Sequence, residues 1–274
     1  MRTLLPRLII AVLLLTGKAM AEPLRMGVFP YHSPEQLVRL HKPLKDYLSH
    51  ASGQQFHLVS APDFDRFIQR TREGRYDVVI TAPHLGRTAE REDGYRWLGF
   101  ARRDSRAVFV AREDAGLTTL EHLSGYRVAM PPEVAIIHQA AVHQLRKHGL
   151  RPGANVSVIA KKSHDAALFA VLRGEADAAA IGLPTWRRYD LPGKDSLRVI
   201  AQSEPVPGFA ILVHPKLPAS IAEDIRKALY RFESTPGGSA YFDKTGLEGI
   251  RAVSKQDLEQ IDRYLSGIGA NGRH

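Results

Sequence analysis

Leu24-Arg25-Met26-Gly27-Val28-Phe29, Phe56-His57-Leu58-Val59-Ser60 and Tyr76-Asp77-Val78-Val79-Ile80-Thr81 are three short, largely apolar runs of strand length. Between the first two lies a helical pattern opened by Ser33-Pro34-Glu35, with Leu37, Leu40, Leu44, Tyr47 and Leu48 on one stripe and Gly53 at its end. Ser33 suits the cap and Pro34 the first turn. Between the second and third runs Asp63 precedes a helix whose Phe64, Phe67 and Ile68 face inward, closed at Gly74. The order β-α-β-α-β predicts a parallel sheet with right-handed crossovers.

After strands at Tyr95–Phe100 and Ala107–Ala111 and a short helix at Thr118–Leu123, the pattern starts again. Arg127–Met130 reads as a strand and Val134–His148 as a helix capped by Gly149. Val156–Ala160 is a strand, His164–Arg173 a helix stopped by Gly174, and Ala176–Ile181 a strand ending at Gly182, with Leu197–Ala201 beyond. Phe209–Val213 and helices over Ala219–Phe232 and Ser254–Leu265 follow, with a frayed tail from Ser266. The fold class is therefore α/β: two lobes, each a mixed, mainly parallel sheet flanked by helices. Lobe one is expected over 22–112 and 206–274 and lobe two over 113–205, with crossovers near 111–116 and 202–208 acting as a hinge. Open sheets of this kind bind ligands at the carboxyl ends of their strands.

The first twenty-one residues read as an export signal and not as folded structure. Arg2 and Arg7 precede the apolar run Leu8–Thr16, and Ala19-Met20-Ala21 offers small residues at the cleavage positions. The alternative, a membrane anchor, needs about 20 apolar residues. Cleavage after Ala21 would start the mature chain at Glu22 in the periplasm. There is no cysteine, which excludes disulfides, thiolate metal sites, cysteine nucleophiles and an N-terminal lipid. The formal charge is +9; Arg2, Arg7 and Lys18 belong to the signal, leaving +6 on the remainder. That excess favours an anionic partner. The cations are scattered (Arg39, Lys42, Arg102, Arg103, Lys161, Lys162, Arg187) and form no long basic block, so nucleic acid is not expected.

No catalytic constellation stands out. The twelve histidines include no H-E-x-x-H, and His138 and His143, five apart, do not share a helix face. There is no G-x-S-x-G, phosphate loop or dinucleotide fingerprint. No metal or cofactor is expected. Binding groups are sought at strand ends and helix starts instead: Tyr31, then Thr81-Ala82-Pro83-His84, Met130-Pro131-Pro132-Glu133, Ser163-His164-Asp165 and Gly182. Ser163 or Asp165 could cap the following helix; equally, the free N–H groups there could hold an anion.

These segments resemble the phosphate/phosphite/phosphonate-type substrate-binding proteins of ABC transporters. Leu24 to Tyr31, Ser33-Pro34-Glu35, Asp46-Tyr47-Leu48, Ala61-Pro62-Asp63 and Gly74-Arg75-Tyr76-Asp77-Val78-Val79 carry the likeness. So do Ser163-His164-Asp165-Ala166-Ala167-Leu168 and Val171-Leu172-Arg173-Gly174-Glu175-Ala176-Asp177. The resemblance implies a periplasmic type II binding fold, a monomer that closes around a small anionic ligand and delivers it to a membrane permease. A sensor kinase is the alternative partner. By position, Tyr31, Thr81, Pro83, His84, Met130, Ile136, Ser163, His164, Asp165 and Gly182 would line the ligand site, with His164 donating to an oxyanion. A periplasmic hydrolase using His164 and Asp165 is the reading from another class. One segment departs from the family. Its phosphonate binders look rich in Ser and Thr after the first strand of lobe two, where this chain has Met130-Pro131-Pro132-Glu133-Val134-Ala135-Ile136. Proline has no N–H to donate, and a Glu133 carboxylate in the cleft would repel an oxyanion.

Overall fold

The computed structural model describes residues 22–32, 34–188 and 192–265. The expected signal at 1–21, the Ser33 cap and the tail from 266 lie outside them. In the first sheet, β1 (Leu24–Val28) leads through α1 (Pro34–Ser52) to β2 (Phe56–Val59), then through α2 (Phe64–Arg72) to β3 (Val78–Thr81). α3 (Pro83–Asp93) and β4 (Arg96–Ala101) follow, and the chain crosses over. The second sheet takes β5 (Ala107–Arg112), β6 (Arg127–Met130), α4 (Ile136–Lys147), β7 (Ser157–Ala160), α5 (His164–Leu172), β8 (Ala178–Gly182), α6 (Leu183–Arg188) and β9 (Leu197–Gln202). The chain then returns with β10 (Ala210–Val213), α7 (Ala219–Phe232), α8 (Pro236–Thr245), β11 (Ile250–Arg251) and α9 (Lys255–Leu265).

The sheet orders are β11-β4-β10-β3-β1-β2 and β7-β6-β8-β5-β9. In each, the three strands of the β-α-β-α-β unit are parallel, and an antiparallel strand joins at the third: β10 beside β3, β5 beside β8. The first crossover therefore differs from the sequence expectation. Residues 107–112 pair with β8 and β9, so they belong to the second sheet, and the chain crosses at 102–106. The apolar run of β5 looks the same whichever sheet receives it, which is why its pattern alone misassigned it.

Both lobes use the same device to fix strand register. In the first, the Arg25 amide donates to Asp77 Oδ2 at 2.7 Å while the Asp77 amide donates to the Arg25 carbonyl at 2.9 Å. In the second, the Arg127 amide donates to Asp177 Oδ2 at 2.8 Å and the Asp177 amide to the Arg127 carbonyl at 2.9 Å. Each aspartate sits just ahead of the third strand and holds the start of the first. Met26 is thereby set opposite Val78, and Val128 opposite Ala178.

The two crossovers run antiparallel against each other. Ser105 and Val206 exchange amide-to-carbonyl bonds, both of 2.8 Å, and the Ala101 amide donates to the Phe209 carbonyl at 2.8 Å. Gly208 makes this approach possible. A β-carbon there would stand 2.5 Å from the Arg103 carbonyl oxygen and 2.6 Å from that of Ala101. The returning helices α7 and α8 pack on α1, whereas α9 touches both α3 and α4 and so reaches both lobes.

Because Asp77 is buried and its bonds are charge-assisted, Asp77→Ala is expected to cost about 2 kcal/mol in urea unfolding, and Asp177→Ala less, since Asp177 is more open to water. A wild-type unfolding midpoint in Asp77→Ala would remove the clamp from the account of register.

Candidate functional site: a cleft between the two sheets

A cavity of about 120 Å³ lies where the carboxyl ends of both sets of parallel strands meet. The first lobe contributes Phe29, Tyr31 and His32 after β1, Phe64 from α2, and Pro83 after β3. The second contributes Pro131, Pro132, Ile136 and Ile137 around the start of α4, with Lys162, Ser163, His164 and Asp165 before and in α5. Gly182 closes that side, and Ser105, Pro207, Gly208 and Phe209 come from the crossovers.

The first lobe's wall is aromatic. Phe29 stacks on Tyr31 at 4.8 Å between ring centroids, and Phe209 meets both edge-on, at 4.8 Å and 4.9 Å. Such offset and edge contacts are the favoured ring geometries. Tyr31 is held from behind. Its hydroxyl bonds His41 Nε2 at 2.8 Å, and His41 Nδ1 bonds the Tyr241 hydroxyl at 3.0 Å. This buried chain links the loop after β1 to α1 and α8. Burial, assisted by nearby His32, lowers the His41 pKa to about 4, so the ring is neutral at physiological pH, with one nitrogen donating and the other accepting.

On the opposite wall Ser163 caps α5, its hydroxyl oxygen accepting from the Ala166 amide at 3.1 Å. The Gly182 amide donates to His164 Nδ1 at 3.0 Å. An amide can only donate, so Nδ1 carries the lone pair and the proton of the neutral ring sits on Nε2. The Gly182 N–H is thus engaged within the wall. Among the described residues, no three His, Asp or Glu side chains gather as metal ligands.

Of the residues expected at the site, Tyr31, Pro83, Ile136, Ser163, His164, Asp165 and Gly182 line this cavity. Thr81, His84 and Met130 do not. Met130 is fully buried in the second lobe's core, because it is the last residue of β6 and faces α4. Thr81 is buried under α2 and α3 in a small separate recess with Phe67 and Leu85. His84 is fully buried at the contact between lobes: its Nε2 lies 2.7 Å from the Val134 carbonyl, which accepts the bond. Glu133, expected to disturb the cleft, lines an outer groove with His138 and Arg146. Three prominent groups were not anticipated there. Phe29 was read only as a strand end, Phe64 only as a core residue and Phe209 only as the start of a strand.

The two-sheet arrangement with a cleft at the strand ends defines a type II periplasmic binding fold. The comparisons agree. Residues 26–258 match the family model described as ABC transporter, phosphonate, periplasmic substrate-binding protein. Among solved structures, PhnD1 from Prochlorococcus marinus in complex with methylphosphonate has a TM-score of 0.78 at 15% identity, covering 89% of this chain and 98% of that one. XAC2383 from Xanthomonas citri, bound to chloride, has a TM-score of 0.75 at 18% identity, with 89% and 96% covered. The binding-protein component of an ABC phosphonate transporter from Pseudomonas aeruginosa has a TM-score of 0.73 at 16% identity, with 91% and 90% covered. The chain belongs to the family of periplasmic substrate-binding proteins of phosphonate-type ABC transporters. It is accordingly a periplasmic solute-binding protein that serves a permease.

Burial also lowers the His84 pKa to about 4, against the raising effect of its bond to Val134. His41 and His84 are therefore neutral when folded and titrate near 6.5 when unfolded. A lowered histidine pKa gives stability that is complete above about 6.5 and is lost as pH falls toward 4. Each ring is worth about 3 kcal/mol across that window. Wild type should thus lose urea resistance between pH 7 and 4.5, and His84→Gln, which retains a donor but cannot titrate, should lose less. Equal slopes for the two proteins would rule out a neutral, buried His84.

Proposed function

We propose that this protein holds one small solute in the interlobe cavity, closes around it by rotation about the crossovers, and passes it to the permease chemically unchanged. The observation that carries the reading is the cavity itself, walled by both lobes and by both crossovers. A solute that touches both lobes stabilises the closed form by the difference between its closed-state and open-state contacts. In this reading Tyr31, Pro83, Ile136, Ser163, His164, Asp165 and Gly182 contact the solute, the chain acts as a monomer, and the signal is removed after Ala21.

The hydrolase alternative is disfavoured by the His164 geometry. A catalytic histidine aligned by a carboxylate donates from Nδ1 to that carboxylate. Here Nδ1 accepts from the Gly182 amide and has no proton to give. No observation favours a sensor kinase over a permease as partner.

Thermal-shift screening of a broad solute library on protein purified from the periplasm tests the proposal. A true ligand at a hundred times its Kd adds about 2.7 kcal/mol, or about 5–10 °C in Tm for a chain of this size. Mass analysis should return it unaltered, and X-ray scattering should report a smaller radius of gyration with it bound. Turnover of the ligand, or no Tm response to any solute, would defeat the reading.

A further inference from the structure

Resting on that reading, we infer that His84 is a positioning residue: with Val134 it forms a latch that draws the two lobes together beside the cavity through protein groups alone, so that the closed arrangement is favoured before any solute arrives.

The latch joins the two segments that leave the parallel strands on either side of the cavity. His84 stands in the first turn of α3, directly after Pro83, and Val134 lies in the loop between β6 and α4, just ahead of Ala135. Pro83, Pro132 and Ala135 line the cavity, whereas His84 and Val134 do not. His84 Nε2 donates to the Val134 carbonyl at 2.7 Å. That carbonyl precedes the first bond of α4, in which the Gln139 amide donates to the Ala135 carbonyl at 3.2 Å, so it stands outside the helix ladder. Two further bonds tie the loop to itself and to α4. The Ala135 amide donates to the Pro132 carbonyl at 2.8 Å, and the Gln139 side chain to the Glu133 carbonyl at 2.6 Å. Holding Val134 therefore also holds Pro132, Ala135 and Ile136, which wall the cavity from the second lobe.

Packing alone does not explain a histidine at this place. The ring is fully buried, and its Nδ1 has no hydrogen-bond partner among the described residues. A buried, unpaired polar atom costs more than an apolar group of the same shape would. Only the bond made by Nε2–H offsets that cost, and its acceptor belongs to the other lobe. Val134 adds a second attraction. Its side chain packs against the first-lobe cluster that includes Phe29, Ala82 and Leu85, a burial that is lost when the lobes part. α9 also bridges the lobes, but beside the second crossover, where Gln260 holds the Pro205 carbonyl. The latch instead joins the helix start and the loop that face each other across the cavity.

Distances between spin labels test the latch without any solute. The chain has no cysteine, so Asp65→Cys on α2 and Arg187→Cys on α6 place one label on each lobe. Both positions are exposed and lie within two residues of the lining residues Phe64 and Thr185. In protein refolded from urea to strip any bound solute, the short distance is expected to predominate. His84→Ala should raise the ratio of long to short distances about tenfold. His84→Gln, which keeps a donor of similar reach, should recover most of the short distance, a rescue that a merely space-filling role would not give. Should His84→Ala fail to fold, Val134→Ala serves instead: it keeps the carbonyl, removes the packed methyl groups and should shift the ratio the same way. A mainly long distance in the wild type would overturn the inference. So would unchanged distances in the folded variants, or a His84→Gln protein as open as His84→Ala. None of these outcomes involves a solute, so failure of the latch leaves solute binding standing, and failure to bind any solute leaves the latch to be judged on its own distances.

Discussion

Two carboxylates govern the geometry on which the cleft depends. Asp77 and Asp177 each grip the backbone at the start of their lobe's first strand, through paired bonds of 2.7–2.9 Å. In a parallel sheet, fixing the amino ends of two strands also fixes the offset of their carboxyl ends. With Val28 held opposite Ile80, the chain leaving β1 delivers Phe29 and Tyr31 beside Ala82 and Pro83 leaving β3. With Ala129 opposite Ala179, Pro131 and Pro132 emerge near Gly182. A slip of one residue at either clamp would turn Phe29 or Pro131 to the other face of its sheet. The clamps act at the far end of the strands from the cavity, yet they decide which side chains face it.

The exchange of antiparallel strands ties the two lobes together in a way that a simple tandem repeat would not. β10 enters the first sheet only after the second lobe has been made, and β5 enters the second sheet before that lobe's own repeat begins. The chain must cross twice, and the crossings lie against each other through Ser105 and Val206. Gly208 lets them come within backbone contact, which brings the next residue, Phe209, to the back of the cleft and against Phe29 and Tyr31. The same short segment thus both crosses between the lobes and walls the cavity.

Much of this was legible in the sequence, for physical reasons that also explain the rest. Strong periodicity gave the repeated unit and helices such as α7, where the apolar residues Ile225, Leu229 and Phe232, spaced for one face, are buried and Ile221 is half-buried. Strand ends and helix starts pointed to Tyr31, Pro83, Ser163, His164 and Gly182. What failed was anything set by partners distant in the chain. α3 escaped notice because its buried face is Pro83, His84, Leu85, Gly86 and Ala89, which carries little apolar signal. Gly86 belongs there because a β-carbon would lie 2.9 Å from Ala210, a residue of the returning strand. α8 begins with Pro236, Gly237 and Gly238, a turn-like run. His84 looked like a cleft residue by position, but its partner is the Val134 carbonyl fifty residues later. No local pattern announces such a bond.

That last bond bears on how the molecule opens. The His84–Val134 pair joins the lobes away from the crossovers, and the Val134 side chain packs into the first lobe's aromatic core. Elsewhere the lobes are bridged by α9. Its Asp262 pairs with Arg87 and Arg91 of α3, its Gln260 amide donates to the Pro205 carbonyl, and its Tyr264 ring meets His143 of α4. Gln260 is bonded to the second crossover itself, close to the axis of any rotation, and needs to move little. Val134 and His84 must separate. Separating the lobes at this point breaks the His84–Val134 bond and uncovers the Val134 side chain.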